Sequence, residues 1–440
     1  MRYIFARALT VWVAVSTVAW SLPVCAQATI GATSVTSPIP GGGIPTTPAP
    51  RAPDEELGMP VGSFRLYPTL DLRAGYDTNV FAQPAGQATG SPYEVVRPLL
   101  SLQSDWSNHM LNFGAYGAFG FYNNASSQNY QNFGLSTDGR LDILQDWYVT
   151  GNAAFLRNTE QLGSPDTASF NTPQSPTVVY SLPVSLSMFQ RFNRLFYLAT
   201  VGATPYRYQN FGQPPGTTLP DSSRDRTEFG ETLRAGYELY DGIDFWVQGG
   251  LSQRAYKDYT NVAGQQRDST GWTVTGGATV DLGGISKLEG FLGYTQQTYF
   301  NPGVTTPAFV FGLGGVWNGY EPLTVRPFVL RGVNETAFTN YQNYVSTTFG
   351  VELSYIIQEG WTLNAGGSWA LLDYTPVPGA VGTFQHTDNF YRASLGLQYS
   401  IFPQLSIGPL YEFVAGNGPD PVTSPNYNRH IIMLRVVARR

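Results

Sequence analysis

The sequence predicts an all-β protein: a transmembrane antiparallel up-and-down β-barrel of about 18 strands (roughly 16–18), preceded by a disordered N-terminal arm. Three observations carry this expectation. Charged residues are only 13% of the 440-residue chain while aromatics are 14%, against roughly 25% charged residues in an ordinary soluble domain. Mean hydropathy is -0.16, too low for a bundle of membrane helices, so apolar residues must be interleaved with polar ones. From Phe64 onward, segments of about 10 to 15 residues alternate apolar with polar or tiny side chains, as strands with two unlike faces do.

The N-terminus reads as an export signal. Arg2 and Arg7 flank the start of an apolar run over residues 8–22, and Ala26-Gln27-Ala28 offers a small-x-small cleavage site. The run is too short to anchor the chain as a helix. Lipidation of Cys25 is disfavoured by Val24 before it. Cleavage after Ala28 removes the single cysteine, leaving no disulfide, thiolate metal site or cysteine nucleophile. Residues 29–62 are rich in Pro, Gly, Thr, Ser and Ala, which bury too little apolar surface to offset chain entropy. The expected organisation is a signal peptide at 1–28, a disordered periplasmic linker at 29–62 and an outer-membrane barrel over 63–440.

Within the barrel the two faces separate cleanly. Tyr391, Ala393, Leu395, Leu397 and Tyr399 oppose Arg392, Ser394, Gly396 and Gln398, and Phe245, Val247, Gly249 and Leu251 oppose Asp244, Gln248, Gly250 and Ser252. A slip of one residue would turn Arg392 or Glu352 into lipid, so facing is strongly specified. Short turns such as Gln145-Asp146, Asp241-Gly242 and Gly283-Gly284 alternate with long Pro- and Asn-rich loops such as 159–177 and 210–225. That alternation is typical of outer-membrane barrels, with tight turns on the periplasmic side. It places strand starts near Phe64, Tyr93, Met110, Tyr130, Trp147, Val178, Leu195, Arg226 and Ile243, and then near Thr270, Ile285, Pro307, Leu323, Tyr344, Trp361, Asn389, Gln404 and Tyr427. Aromatics near strand ends (Trp106, Trp147, Phe196, Tyr240, Tyr256, Tyr299, Trp317, Tyr320, Trp361, Tyr374) are expected to form interfacial girdles. Pro68, Pro98, Pro183, Pro205, Pro327 and Pro409 fall inside strands, where each removes a ladder donor, so bulges or broken pairing are expected there.

Catalysis finds little support. His109 falls in a short turn, His386 in a long loop and His430 in the last strand, with no Ser or Asp recognisably beside them and no GxSxG. Metal-ligand spacings are absent, and Asp258, Asp268 and Asp388 read as solvated loop carboxylates. No enzyme activity, cofactor or metal is expected. A net charge of -6 and a pI of 5.2 leave no basic stripe for nucleic acid. What remains is the polar inner face: Asp71, Arg73, Arg97, Asp138, Arg140, Asp142, Arg234, Glu238, Asp244, Arg254, Lys287, Glu289, Arg326, Glu352, Arg392, Glu412 and Arg435 are the candidate lumen-lining residues. They either solvate a passage or pair across neighbouring strands. Folding of loops 159–177 or 210–225 into the lumen would narrow any passage.

Tyr67-Pro68-Thr69-Leu70 leading to Gly75-Tyr76-Asp77-Thr78-Asn79-Val80-Phe81 resembles the opening strand of the putative β-barrel porin 2 family. The stretch from Pro98 through Asp105-Trp106-Ser107-Asn108-His109 resembles that family's second strand and first turn, and Asp138 to Asp166 its second hairpin. The resemblance is sharp over residues 67–166 and architectural afterwards; the chain departs from the usual aromatic C-terminus by ending Val436-Val437-Ala438-Arg439-Arg440. It implies an outer-membrane barrel, in some members linked to capsule or exopolysaccharide export, and no catalytic residues. The resulting expectation is a passive or gated channel for polar solutes, a secreted exopolysaccharide among the candidates. The alternative is a structural or adhesive surface barrel with a plugged lumen that binds a partner through its loops. Expected partners are outer-membrane lipid and lipopolysaccharide, the barrel-assembly machinery and polysaccharide-export components.

Overall fold

A computed structural model describes residues 58–165, 175–209, 221–258, 267–283, 286–300, 303–338, 340–379, 384–420, 424 and 426–440. The expected signal peptide, most of the expected linker and several loop tips, including 166–174 and 210–220, lie outside the described residues.

The described chain is one antiparallel sheet of 20 strands. Each strand pairs with its sequence neighbour, and the strand Phe64–Asp77 also pairs with the last one, Asn426–Arg439, from Thr69↔Arg439 to Asp77↔Ile431. The sheet is therefore a ring without edges, which leaves no row of unpaired amides. Two of the 20 strands are not separate staves. Met59–Val61 is a short return that folds onto Leu66–Phe64 within the expected linker. Thr177–Ser181 and Val184–Phe192 are two pieces of one stave, both pairing with Trp147–Glu160 on one side and Leu195–Gln209 on the other. Removing these two from 20 leaves 18 staves, the number the turn-and-loop alternation predicts. Strands begin at the expected residue at Phe64, Met110, Tyr130, Trp147, Leu195, Arg226, Ile243, Leu323 and Trp361, and within three residues of it elsewhere.

The alternation sorts side chains as the sequence requires. In Arg226–Tyr240, Arg226, Glu228 and Arg234 are buried while Phe229, Leu233 and Tyr237 are exposed, Leu233 to 60%. The same outward exposure recurs at Leu135, Leu186, Val247, Leu292, Phe309 and Leu434. A continuous apolar belt of this extent on a closed sheet is the surface that hydrocarbon covers. Among the described residues no helix is long and apolar enough to cross a membrane; a barrel crosses with strands.

Each of the six prolines expected within strands coincides with a gap in, or the end of, one ladder, as the missing donor demands. Pro98 sits where pairing with the next stave skips from Val96↔Phe119 to Leu99↔Tyr116. Pro327 lies between Phe328↔Gly314 and Val325↔Trp317, and Pro409 between Leu410↔Gly396 and Ile407↔Tyr399. Pro68 stands just outside the closing ladder, which begins at Thr69. Pro183 and Pro205 face one another across the break that divides one stave, and their carbonyls still accept from Ala154 and Leu182 at 2.9 and 3.2 Å. The girdle expectation needs correction at four positions. Phe196, Tyr256, Tyr299 and Tyr374 are buried on the inner face, because strand parity, not proximity to a strand end, decides which way a ring points. Trp106, Tyr240, Trp317 and Tyr320 are exposed as expected.

Candidate functional site

By parity, the candidate lumen residues lie on the face of each strand opposite its exposed apolar side chains. Most of them pair. The largest group straddles the closing seam. Asp71 accepts Arg73 at 2.8 Å and Arg435 at 3.0 Å, with Arg97 at 3.9 Å. Glu412 holds Arg392 at 2.9 Å and lies 3.9 Å from Arg73. Four arginines thus gather round two carboxylates at the seam. Farther round, Arg234 meets Glu289 at 3.1 Å, bonds Gln248 at 2.9 Å and stacks on Trp246. Arg326 stands opposite Glu352 in register.

Nearer the short turns the candidates are half-exposed. Arg140 pairs with Asp142 at 2.7 Å, and Asp138 accepts from Asn112 at 2.9 Å. Glu238 and Asp244 share Arg191 at 2.6 and 3.7 Å. Lys287 reaches Asp281 at 3.4 Å.

Several inner-face charges lie outside the expected set. Asp77, with no exposed surface, binds the Arg429 Nε at 2.9 Å and joins Tyr122 at 3.4 Å. Arg226 pairs with Glu228 at 2.7 Å, and Arg224 with Glu160 at 2.8 Å. Asp77, Arg226 and Glu228 follow from simply extending the alternation to the strand ends, and that signal was available. Glu335 was not legible. It lies in the loop after the strand Leu323–Asn334, yet binds Arg254 at 2.7 Å and Tyr256 at 2.6 Å four staves away and Tyr299 at 3.0 Å two staves away. Burial would raise its carboxyl pKa, but Arg254, Arg267 and Arg226, with the Tyr256 hydroxyl, outweigh burial and hold it below the usual carboxylate range.

Loops also cross the inner face. Tyr427 donates to the Gly163 carbonyl, and Gly163, at φ +80°, lies so close to Ala82 and Tyr427 that a Cβ there would clash with both. The root of the 159–177 loop is therefore drawn against the first and last staves. The Arg224–Glu160 pair similarly ties the root of the 210–225 loop to the inner wall. Tyr341, which opens the strand Tyr341–Gln358, donates to Asp420 in the loop after Asn417 at 3.0 Å. The result is an asymmetric interior, closely packed with tyrosine, arginine and carboxylate toward the long loops and more open toward the short turns.

The histidines are not where a nucleophile needs them. His386 opens the strand His386–Phe402 and does not lie in the preceding loop; its Nε2 is 3.6 Å from Asp388. Ser424, brought alongside by its loop, donates to the Asp388 carboxylate and not to the His386 imidazole, so the histidine is not placed as the base for that hydroxyl. The correction falls on the carboxylates expected to be solvated in loops: Asp388 is buried in the strand two residues from His386, and Asp268 is buried and accepts from the Tyr256 amide at 2.7 Å, because both face inward where the loop roots pack. The His109 amide donates to the Asp142 carboxylate and the Asp142 amide to the His109 Nδ1, and His430 faces outward against Tyr411 and Phe413. Among the described residues no group of three His, Cys, Asp or Glu side chains is placed to hold a metal ion.

Comparison with known proteins adds a family. The model of the family described as putative beta-barrel porin 2 matches residues 52–440. No curated protein matches the chain. Among solved structures, the siderophore receptor PirA from Pseudomonas aeruginosa is similar at 10% identity and a TM-score of 0.42, over 85% of this chain and 80% of that one. Pseudomonas aeruginosa OccK3 (OpdO) is similar at 14% identity and a TM-score of 0.41, over 85% and 95%. Pseudomonas aeruginosa OpdQ is similar at 10% identity and a TM-score of 0.42, over 85% and 97%.

Proposed function

The chain belongs to the putative β-barrel porin 2 family, and from that premise we propose that it is a gated outer-membrane channel for polar solutes, acting without covalent chemistry. The observation that carries this reading is the closed ring of 18 staves with an apolar outer belt and a charged inner face. A ring of that size is wide enough for an aqueous passage, which an eight-stranded barrel fills with side chains. Gating follows from the interior: loop roots and buried charges occupy the long-loop end, while the short-turn end is open. On this reading the long loops face outward, the expected linker lies in the periplasm, and assembly uses the barrel-insertion machinery.

Reconstitution in planar bilayers tests the channel. Stepwise conductance is expected, and silence at every voltage, in a preparation whose barrel is folded, would remove the proposal. A secreted polysaccharide is the solute that the family resemblance suggests, with export components as partners; deletion leaving surface polysaccharide unchanged would remove that refinement. The packed long-loop end also favours a second reading, a plugged surface barrel that binds a partner through its loops. That reading predicts no conductance and a binding activity destroyed by shaving the loops with protease.

A further inference from the structure

At the long-loop end of three neighbouring staves, the apolar outer belt gives way to a cationic row. Arg157 lies opposite Tyr180, and Tyr180 lies opposite Arg207, so one phenol stands between two guanidiniums in direct register. Parity turns all three outward, as Arg157 also pairs with the outward Phe133. The Arg157 Nε is 3.3 Å from the Tyr180 hydroxyl, its Nη1 donates to the Gln131 carbonyl, and its guanidinium lies 5.9 Å from both the Phe133 and Tyr180 rings. Arg207 has 52% of its side chain exposed.

Among the described residues carboxylate is scarce around this row. Arg207 approaches Asp225 only to 3.8 Å, and the same oxygen is shared with the exposed Lys257 at 4.0 Å. Asp225 uses its other oxygen to accept from the Tyr208 amide at 2.8 Å. Among the described residues Arg157 has no carboxylate within ion-pairing distance. The contrast is Arg331, another outward arginine, which is neutralised by Asp373 at 3.7 Å. Toward the membrane from the row lie the exposed apolar side chains of Phe155 and Leu182, each two residues along its stave, and then Val184.

A guanidinium against hydrocarbon is unfavourable unless it reaches headgroup depth and finds anionic oxygens. Here the two arginines are separated by two inter-strand steps, about 10 Å, which suits a headgroup carrying more than one phosphate. The aromatic between them can stack on a sugar ring, and the apolar patch beside them can take acyl chains. We propose that Arg157, Tyr180 and Arg207 form a binding site for a phosphorylated glycolipid of the surrounding leaflet. The guanidiniums bind phosphate by charge-assisted hydrogen bonds, and Phe155, Leu182 and Val184 seat the acyl chains.

This inference rests on the outer-membrane reading for its orientation, but its test does not use conductance. The purified full chain in detergent is titrated with bis-phosphorylated, mono-phosphorylated and phosphate-free lipid A, and complexes are counted by native mass spectrometry. Binding is expected to weaken with each phosphate removed. R157Q/R207Q should weaken the bis-phosphorylated lipid by about tenfold or more, and R331Q should not. Equal binding of the phosphate-free lipid to the unaltered chain would overturn the proposal, as would unchanged binding by a folded R157Q/R207Q variant. The lipid series needs no variant, so a double variant that fails to fold leaves the answer intact. Protease accessibility of the long loops on whole cells reports orientation separately.

Discussion

Replacing Glu335 tests whether the inner loops gate the barrel. The carboxylate is buried and holds Arg254 at 2.7 Å, with Tyr256 and Tyr299 hydroxyls at 2.6 and 3.0 Å. Removing one partner of a buried ion pair costs about 3–5 kcal/mol, because the remaining charge is left uncompensated. If the carboxylate secures the loop root in its inward position, Glu335→Ala shifts the docked-to-undocked ratio by about a hundredfold or more. Single-channel recording should then show a higher open probability or a larger unit conductance. Proton uptake gives an independent handle. The folded pKa of Glu335 is depressed, so its contribution is fully present above the ordinary glutamate value, about 4.3, and is lost as pH falls through the folded value. Acidification below about pH 4 should therefore release the loop in the unaltered chain and do little in Glu335→Gln. A folded Glu335→Ala barrel with conductance and gating identical to the unaltered chain would refute the argument that this loop controls passage.

Other consequences concern closure and facing. Arg429→Ala strands the fully buried Asp77 and should destabilise the barrel by about 3–5 kcal/mol, with Asp77→Asn in the same chain recovering part of the loss in urea titrations. Leu251→Arg should cost about 2–4 kcal/mol in a membrane-inserted barrel, whereas the neighbouring inward Ser252→Arg should cost much less; equal effects on refolding into lipid would contradict the assigned faces. The folded chain should migrate faster on detergent gels before boiling than after, since an edgeless sheet resists detergent; identical mobility would argue against closure.

Much of this architecture is written locally. Side chains alternate faces with a period of two whatever the rest of the chain does, so the outward Leu251 and inward Arg254 can be assigned from a few residues of sequence. Turns and loops differ in length and composition, and that difference delivers both the stave count and the parity that brings the two chain ends to the same rim. Even the ladder gaps at Pro98, Pro327 and Pro409 follow from one missing donor each.

What each charge touches is another matter. Asp71 meets Arg435 across 364 positions of sequence, and Asp77 meets Arg429 across 352, because ring closure sets the first stave against the last. Glu335 reaches Arg254, and Ser424 reaches Asp388, only because loop roots fold across the interior. Tyr299 and Tyr374 look like interfacial rings in sequence and are buried inside, since proximity to a strand end does not say which face a residue occupies once the register is fixed. The sequence alone determined the strands, their faces and their number, because these depend on backbone periodicity and turn chemistry. Only the tertiary structure decided the ion-pair partners and the narrowing of the interior, because both arise from side chains that meet when the sheet closes on itself.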